Sequence, residues 1–227
     1  MNAAAQDTPL PGTRLDPVPM LLVAGLALIA LPLIGGFSTW LTLTVAGLAM
    51  GMIIFIVASG MTLVFGLMDV LNFGHGLFIT LGAYVACSVM GGMAGWTQSG
   101  SLLANLGAIL PAAVIGMLVA GAVGAAFERL IIRPVYGQHL KQILITVGGL
   151  IVGQEFIKAI WGPQTLPFAL PQALSGAVLM GDAAVEKFRL LALIIGVLVL
   201  LLMLWVLNRT KLGLLVRAGV QDREMVE

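Results

Sequence analysis

The segment Gly66–Gly76 contains an acidic residue, an asparagine and a histidine within an otherwise apolar part of the chain. It reads Gly-Leu-Met-Asp-Val-Leu-Asn-Phe-Gly-His-Gly, and Asp69 is the only charged residue between positions 17 and 127. Glycines on both sides of His75 predict a break in a helix. Broken helices at membrane depth line protein-covered cavities and transporter sites. We therefore predict that the segment shapes a translocation pathway or its hinge, through five residues: Asp69, Asn72, Gly74, His75 and Gly76.

A second interpretation of this segment stays open at the level of sequence. Residues 66–76 can instead form an ordinary cytoplasmic turn, in which Asp69 is a solvated or helix-capping residue. Ionisable residues inside a membrane are functional by default, but the charge pattern alone does not choose between the turn and the intramembrane break.

Catalytic and metal-binding patterns are missing from the sequence. It contains no GxxxxGK[ST] phosphate loop, no HExxH metal motif and no GxSxG nucleophile turn. The two histidines, His75 and His139, are far apart, and Cys87 is the one cysteine. We therefore expect no catalytic residue, no metal and no cofactor, and no intrachain disulfide.

The composition is that of a membrane protein. Of the 227 residues, 60% are apolar and 9% are charged, whereas soluble domains are about 25% charged. Four charged residues lie in residues 1–127 and 17 lie in residues 128–227. With a net charge of +1, these values exclude a soluble enzyme, a nucleic-acid-binding protein and a disordered tail. They predict a chain that crosses the membrane several times.

Six apolar segments are long enough to cross a bilayer as helices, which takes about 20 residues each. They lack the alternation of polar and apolar residues that β-barrel strands show. The fifth segment ends with Glu155 and Lys158, which can pair across one helical turn. The predicted fold class is an all-α bundle of about six transmembrane helices, at residues 18–37, 41–66, 76–94, 102–127, 143–160 and 188–207.

Basic residues predict the orientation, because Lys and Arg concentrate in short cytoplasmic loops. Three lie between residues 128 and 142, and four lie after residue 207. Both termini are therefore expected in the cytoplasm, with an N-terminal tail at 1–17, a membrane domain at 18–208 and a cytoplasmic segment at 209–227. The cytoplasmic connection after the fourth span includes Glu128, Arg129, Arg133 and Pro134.

Small residues recur at helical spacing in two of the spans. Gly47 and Gly51 form one pair, and the fourth span has a ladder of Ala112, Gly116, Ala120 and Gly124. Small residues at this spacing let helix backbones approach closely. We expect both sets to pack helices, within the bundle or against a partner.

Several groups of residues, in order from about residue 45 to the C-terminus, together resemble the branched-chain amino acid ABC transporter permeases of the LivH type. They begin with Val64-Phe65-Gly66-Leu67-Met68, Asn72-Phe73-Gly74-His75-Gly76 and Leu81-Gly82-Ala83-Tyr84. Further along the chain, they are Glu128-Arg129 with Arg133-Pro134, then Trp161-Gly162-Pro163, then Arg209-Thr210-Lys211-Leu212-Gly213 with Arg217-Ala218, Gln221-Asp222 and Glu224.

The resemblance implies one permease subunit of a bacterial ABC importer in the inner membrane. Its partners would be a second homologous permease, two ATP-binding subunits that hydrolyse the ATP, and a periplasmic substrate-binding protein. The implied substrates are branched-chain amino acids, although urea, amides and other amino acids use similar permeases. Contact with the ATP-binding subunits is implied for eight residues of the tail: Arg209, Lys211, Gly213, Arg217, Ala218, Gln221, Asp222 and Glu224.

Members of this family continue past the coupling segment with further membrane helices. The resemblance therefore predicts a bundle that lacks its last helices and an incomplete coupling segment at 209–227. Two alternatives stay open. One is a secondary transporter or channel subunit, which needs no surface for an ATP-binding subunit. The other is a truncated membrane subunit that does not transport.

Overall fold

The computed structural model describes residues 17–68, 70–164, 166, 168, 170–210 and 213. Within these residues, six helices are long and apolar enough to cross a membrane, which confirms the predicted fold class and the number of spans. The helices are α1 (Pro17–Ile34), α2 (Phe37–Met68), α3 (His75–Gly92), α4 (Ala94–Thr97), α5 (Leu102–Phe127), α6 (His139–Trp161) and α7 (Lys187–Arg209).

Successive spans run in opposite directions, so the connections gather at two ends of the bundle. The α2–α3 and α5–α6 connections meet at one end, where Leu71 is hydrogen-bonded to Gln142. We call this the His75 end. At the other end, Trp161 of α6 donates a hydrogen bond from Nε1 to Ser88 Oγ of α3 at 2.7 Å. We call this the hairpin end, because it contains a β-hairpin.

The hairpin is a feature that the sequence did not predict. Strands β1 (Ala177–Met180) and β2 (Ala183–Glu186) pair antiparallel, with Val178 opposite Val185. Ala183 and Val185 are buried on one face of β2. Because Thr42 Oγ1 also donates to Ala184 O at 3.4 Å, the hairpin packs on the start of α2.

Two of the helices, α2 and α6, begin four residues before the predicted positions. Helix α6 begins at His139 rather than 143, since Gln142 is fully buried and bonds within the protein. Helix α2 begins at Phe37 rather than 41. There Trp40 Nε1 donates to Ala27 O of α1 at 2.6 Å, which ties the first two helices together.

The predicted connection at residues 128–142 is largely helical. After α5 the chain continues as a π-helical turn, Glu128–Ile132, and a 3₁₀ turn, Arg133–Val135. Ile132 is buried, with 3% of its surface exposed, and this burial favours continued helix over an open loop. Only residues 136–138 remain between the last of these turns and α6.

Helices α3 and α5 pack through their small residues. A Cβ added to Gly116 would lie 2.6 Å from Gly82 O, and one added to Gly82 would lie 3.3 Å from Ala120 Cβ. The ladder on α5 therefore packs a helix, as predicted. Gly47 and Gly51 differ, because no described atom lies within 4 Å of a Cβ at either position. For them, packing against a partner stays a prediction.

Candidate functional site

The segment between α2 and α3 is held against α6 by two buried polar side chains. Leu71 N donates to Gln142 Oε1 at 3.4 Å, and Phe73 N donates to Thr146 Oγ1 at 3.3 Å. The Thr146 hydroxyl also lies within hydrogen-bond distance of Gln142 O, at 2.7 Å. Gln142 and Thr146 are both fully buried. They accept hydrogen bonds from Leu71 N and Phe73 N, which have no partner within a helix. Irregular backbone at membrane depth requires such partners within the protein.

The helix break lies before His75 rather than around it. Helix α3 begins at His75, so Gly76 belongs to its first turn. Gly74 is the glycine that the break requires, because a Cβ there would lie 3.2 Å from Asn72 Oδ1 and 3.3 Å from Thr146 O. The same Asn72 Oδ1 accepts a hydrogen bond from Gly74 N at 2.9 Å.

The His75 side chain packs across the bundle onto α2. A Cβ added to Gly60 would lie 3.0 Å from His75 Nε2. A glycine on α2 therefore leaves the space that the imidazole occupies. This contact fixes the start of α3 against α2.

A cavity of about 660 Å³ lies along the small residues of α3 and α5. Its walls are apolar over most of their length, with Ile79 of α3 and Met117 of α5 among the larger side chains. Its polar side chains all come from the His75 end of the bundle: Asn72, His75, Glu128 and Tyr136. An apolar cleft with a few convergent polar groups is the usual form of a small-molecule site.

Glu128 and Tyr136 are joined by a short hydrogen bond, in which the Tyr136 hydroxyl donates to Glu128 Oε1 at 2.5 Å. The π-helical and 3₁₀ turns between them bring the two side chains together. Burial raises the pKa of the Tyr136 phenol to about 12, together with the hydrogen bond and the negative charge of Glu128, while Arg133 acts in the opposite direction. The phenol therefore stays protonated and can donate throughout the physiological range.

A second cavity, of about 300 Å³, lies at the hairpin end. Cys87 and Ser88 of α3 line it together with Leu166 and Phe168 from the loop after α6. Nearby, the fully buried Asn105 joins two loops. Its Nδ2 lies 2.7 Å from Ser99 O, and its Oδ1 accepts from Ala173 N at 2.9 Å.

Residues 43–227 match the model of a protein family described as the permease component of the branched-chain amino acid transport system. The chain belongs to this family. The match includes the segment before α3, all of α5 and the turn with Glu128. This is the family that the sequence motifs predicted.

Curated relatives agree with this assignment. The permease is 25% identical over 193 residues to the high-affinity branched-chain amino acid transport system permease protein BraD of Pseudomonas aeruginosa, covering 80% of this chain and 59% of BraD. It is 26% identical to the LivH proteins of Salmonella typhimurium, over 188 residues, and Escherichia coli, over 192 residues. Those matches cover 79% of this chain and 58% of each LivH protein. The chain thus spans less than two thirds of the length of these relatives. No solved structure matches the permease significantly.

The structure brings some of the predicted pathway residues together and separates others. Asn72 and His75 line the large cavity. Gly74 packs against α6, and Gly76 has open space around it. Asp69 lies outside the described residues. Their roles in a pathway or hinge stay predictions.

The predicted coupling residues are only partly described. Arg209 is the last residue of α7, and Gly213 N donates to Thr210 Oγ1 at 3.4 Å. The other six lie outside the described residues: Lys211, Arg217, Ala218, Gln221, Asp222 and Glu224. Contact with ATP-binding subunits therefore stays a prediction for all eight.

The predicted connection residues have different positions in the structure. Glu128 lines the cavity, whereas Arg129, Arg133 and Pro134 are exposed. The sequence interpretation placed Glu128 with its basic neighbours, and the helical turns separate it from them. The predicted pair on α6 is confirmed, with Lys158 Nζ 2.6 Å from Glu155 Oε1.

Four polar residues of structural or site importance were not identified from the sequence: Tyr136, Gln142, Thr146 and Asn105. A signal existed for two of them, because Gln142 and Thr146 are four residues apart and share one face of a helix. Tyr136 is one of only two tyrosines in the chain, but nothing in its spacing points to Glu128. Among the described residues, no group of His, Cys, Asp and Glu could hold a metal ion.

Proposed function

We propose that the permease is a transmembrane subunit of an ABC importer in a bacterial inner membrane. It passes branched-chain amino acids, which a periplasmic binding protein delivers, along the cavity between α3 and α5. The cavity supports this proposal most directly, because it combines an apolar wall with polar groups at one end. The function of the relatives, branched-chain amino acid transport, agrees with that chemistry.

The proposed assembly contains a second, homologous permease subunit and two ATP-binding subunits. Many apolar side chains of the described helices are exposed, such as Leu103 at 81% and Leu33 at 82%. Lipid and a partner permease are suitable neighbours for such surfaces. The His75 end carries Arg129, Arg133 and Arg209 on exposed positions, so we place it, with both termini, in the cytoplasm. The hairpin end then faces the binding protein.

In this proposal the segment before α3 acts as the hinge of the pathway. It is non-helical, and two buried side chains of α6 hold it in place. Closure of the ATP-binding subunits would push on the segment after Arg209 and move helices about this point. Asn72, Gly74, His75 and Gly76 would shape the path at that level, together with Asp69.

Uptake of labelled leucine tests the proposal. The complete importer is expressed in cells that lack their own leucine uptake. It contains this permease and, from the same organism, the second permease, the ATP-binding subunits and the periplasmic binding protein. We expect saturable uptake that needs the permease, the binding protein and ATP. Uptake that is the same without the permease would contradict the proposal. Uptake driven by an ion gradient, with no need for ATP-binding subunits, would instead indicate a secondary transporter.

Substitutions at the hinge test its role separately. Gly74→Val and His75→Ala are expected to lower leucine uptake at equal membrane expression. Gly74→Val places side-chain atoms against Thr146 O, and His75→Ala removes the contact with α2. Gly91→Val is the matched control, since nothing lies within 4 Å of a Cβ there. Unchanged uptake in both hinge variants would refute the hinge.

A further inference from the structure

We propose that the His75 end of the α3–α5 cavity binds the ammonium group of an amino acid, and that the Glu128–Tyr136 pair receives it. The inference rests on the proposed transport of amino acids and adds the residues that recognise their ammonium group.

Glu128 supplies the negative charge. Its carboxylate lines a largely apolar cavity, and within the described residues it makes no ion pair. Oε1 of Glu128 accepts a hydrogen bond from the Tyr136 hydroxyl. Oε2 has no hydrogen-bond donor in the described part of the chain. Glu128 is half-buried, so its free oxygen stays accessible from the cavity. Hydrogen bonds between a carboxylate and a cation are stronger than those between neutral groups, and an ammonium group entering the cavity can form one here.

Tyr136 orients this carboxylate. Its hydroxyl donates to Oε1, and its pKa, raised to about 12, keeps the proton in place at neutral pH. Arg133, whose positive charge acts on Tyr136, is exposed to solvent and does not line the cavity. The pair therefore presents one negative charge with a fixed direction.

The antiparallel packing of α3 on α5 places Glu128 near the start of α3. Phe78, one turn into α3, contacts the position of a Cβ on Gly124 at 3.8 Å and packs edge-on against Phe127 at 5.4 Å. Glu128 follows Phe127 directly. An amino acid whose ammonium group binds Glu128 can extend its side chain along the apolar walls, past Ile79 and Met117. The volume of about 660 Å³ suits a small ligand with room for water.

Leucine uptake by the complete importer tests the ammonium site. Glu128→Gln keeps the shape of the side chain and removes its charge. We expect it to raise KM for leucine about tenfold or more, the typical effect of losing a charge-assisted hydrogen bond. Glu128→Asp, which keeps the charge, should recover part of this loss. Glu155→Gln is the matched control, because the Glu155 side chain is exposed on α6 and pairs with Lys158.

A binding measurement separates the permease site from the binding protein. The chain has one cysteine, so a Cys87→Ser, Ile79→Cys variant presents a single thiol of this chain on the cavity wall. In the purified importer without binding protein, the partner subunits are made cysteine-free, and the rate of maleimide labelling at position 79 is measured. Leucine and 3-methylbutylamine, which both carry the ammonium group, should slow labelling more than 4-methylpentanoate, which lacks it. Adding Glu128→Gln should abolish the difference between leucine and 4-methylpentanoate.

Two results would overturn the inference while leaving the proposed function intact. One is leucine uptake with an unchanged KM in Glu128→Gln. The other is equal protection of position 79 by leucine and by 4-methylpentanoate in the presence of Glu128. Failure of the proposed function gives a different result, namely no leucine uptake by the unsubstituted importer. If leucine protects position 79 only when Glu128 is present, the result supports both the ammonium site and the proposed function.

Discussion

Glu128 and Tyr136 show how much local backbone geometry decides the role of a single residue. In the sequence, Glu128 stands beside Arg129 and near Arg133, so it resembles part of a solvated basic connection. The π-helical turn changes the direction of successive side chains, and such turns are frequent at functional sites. The carboxylate therefore lines the cavity while the two arginines stay exposed.

The pair makes a prediction about pH. The pKa of Tyr136 in the folded protein, about 12, lies above its ordinary value of 10. Its contribution to stability is therefore complete below pH 10 and is lost as the pH rises from 10 to about 12. Tyrosinate absorbance of the purified permease, with Tyr136→Phe subtracted, should show a midpoint near 12 that moves towards 10 in Glu128→Gln. A midpoint near 10 in both would contradict the hydrogen bond.

At the scale of elements, two kinds of contact hold the site together. Helices α3 and α5 meet through small residues, so their backbones are close beside the cavity. The segment before α3 is instead held by the buried Gln142 and Thr146 of α6. The small-residue ladder was predictable because its spacing is a general signal of helix packing. The hydrogen bonds to α6 were not, because they join residues more than 70 positions apart.

Gly116→Ala tests the close packing of α3 on α5. The new Cβ would lie 2.6 Å from Gly82 O, so the helices must separate. We expect a loss of about 1–3 kcal/mol in unfolding free energy, measured by thermal or denaturant unfolding in detergent. Gly121→Ala is the control on the same helix, since no atom lies within 4 Å of its Cβ. Equal stability of the two variants would mean that α3 and α5 do not pack in this way.

Thr146→Val tests how α6 holds the segment before α3. The substitution keeps the shape but removes the hydroxyl that accepts from Phe73 N. It should cost about 1–3 kcal/mol, because a backbone donor loses its partner, and should speed hydrogen exchange in residues 70–74. Thr80→Val serves for comparison, as that exposed hydroxyl bonds only within its own helix. Exchange that is equally slow in both variants would count against the role of Thr146.

For the whole molecule, composition was sufficient to predict the class of fold and the number of spans. Long apolar runs have one stable form in a bilayer, so six runs give six helices. The β-hairpin was not predicted, because it lies in a loop with no long alternating pattern. The cavity was not predicted either, since its lining combines α2, α3, α5 and the turns after α5. Only the arrangement of these elements in space creates it.

The orientation predicts which end of the bundle is accessible from outside the cell. Leu179 in the hairpin and Leu140 at the start of α6 are both strongly exposed, at 75% and 72%. In a Cys87→Ser background, Leu179→Cys should react with a membrane-impermeant maleimide in intact cells. Leu140→Cys should react only after the membrane is opened, because in the proposed orientation the end that carries the Lys and Arg residues faces the cytoplasm. The reverse pattern would invert the orientation.

The most direct measurement for the whole account is leucine uptake after the α3–α5 cavity has been filled. Gly121 lines the cavity, and no atom lies within 4 Å of its Cβ position, so the side chain of Gly121→Trp begins in open space and its indole ring fills part of the cavity. Gly25→Trp in α1 is the control, since Gly25 also has open space and lies outside the matched residues 43–227. At equal membrane expression, Gly121→Trp should abolish uptake by the complete importer, and Gly25→Trp should leave it unchanged. Full uptake in Gly121→Trp would show that the substrate takes another path.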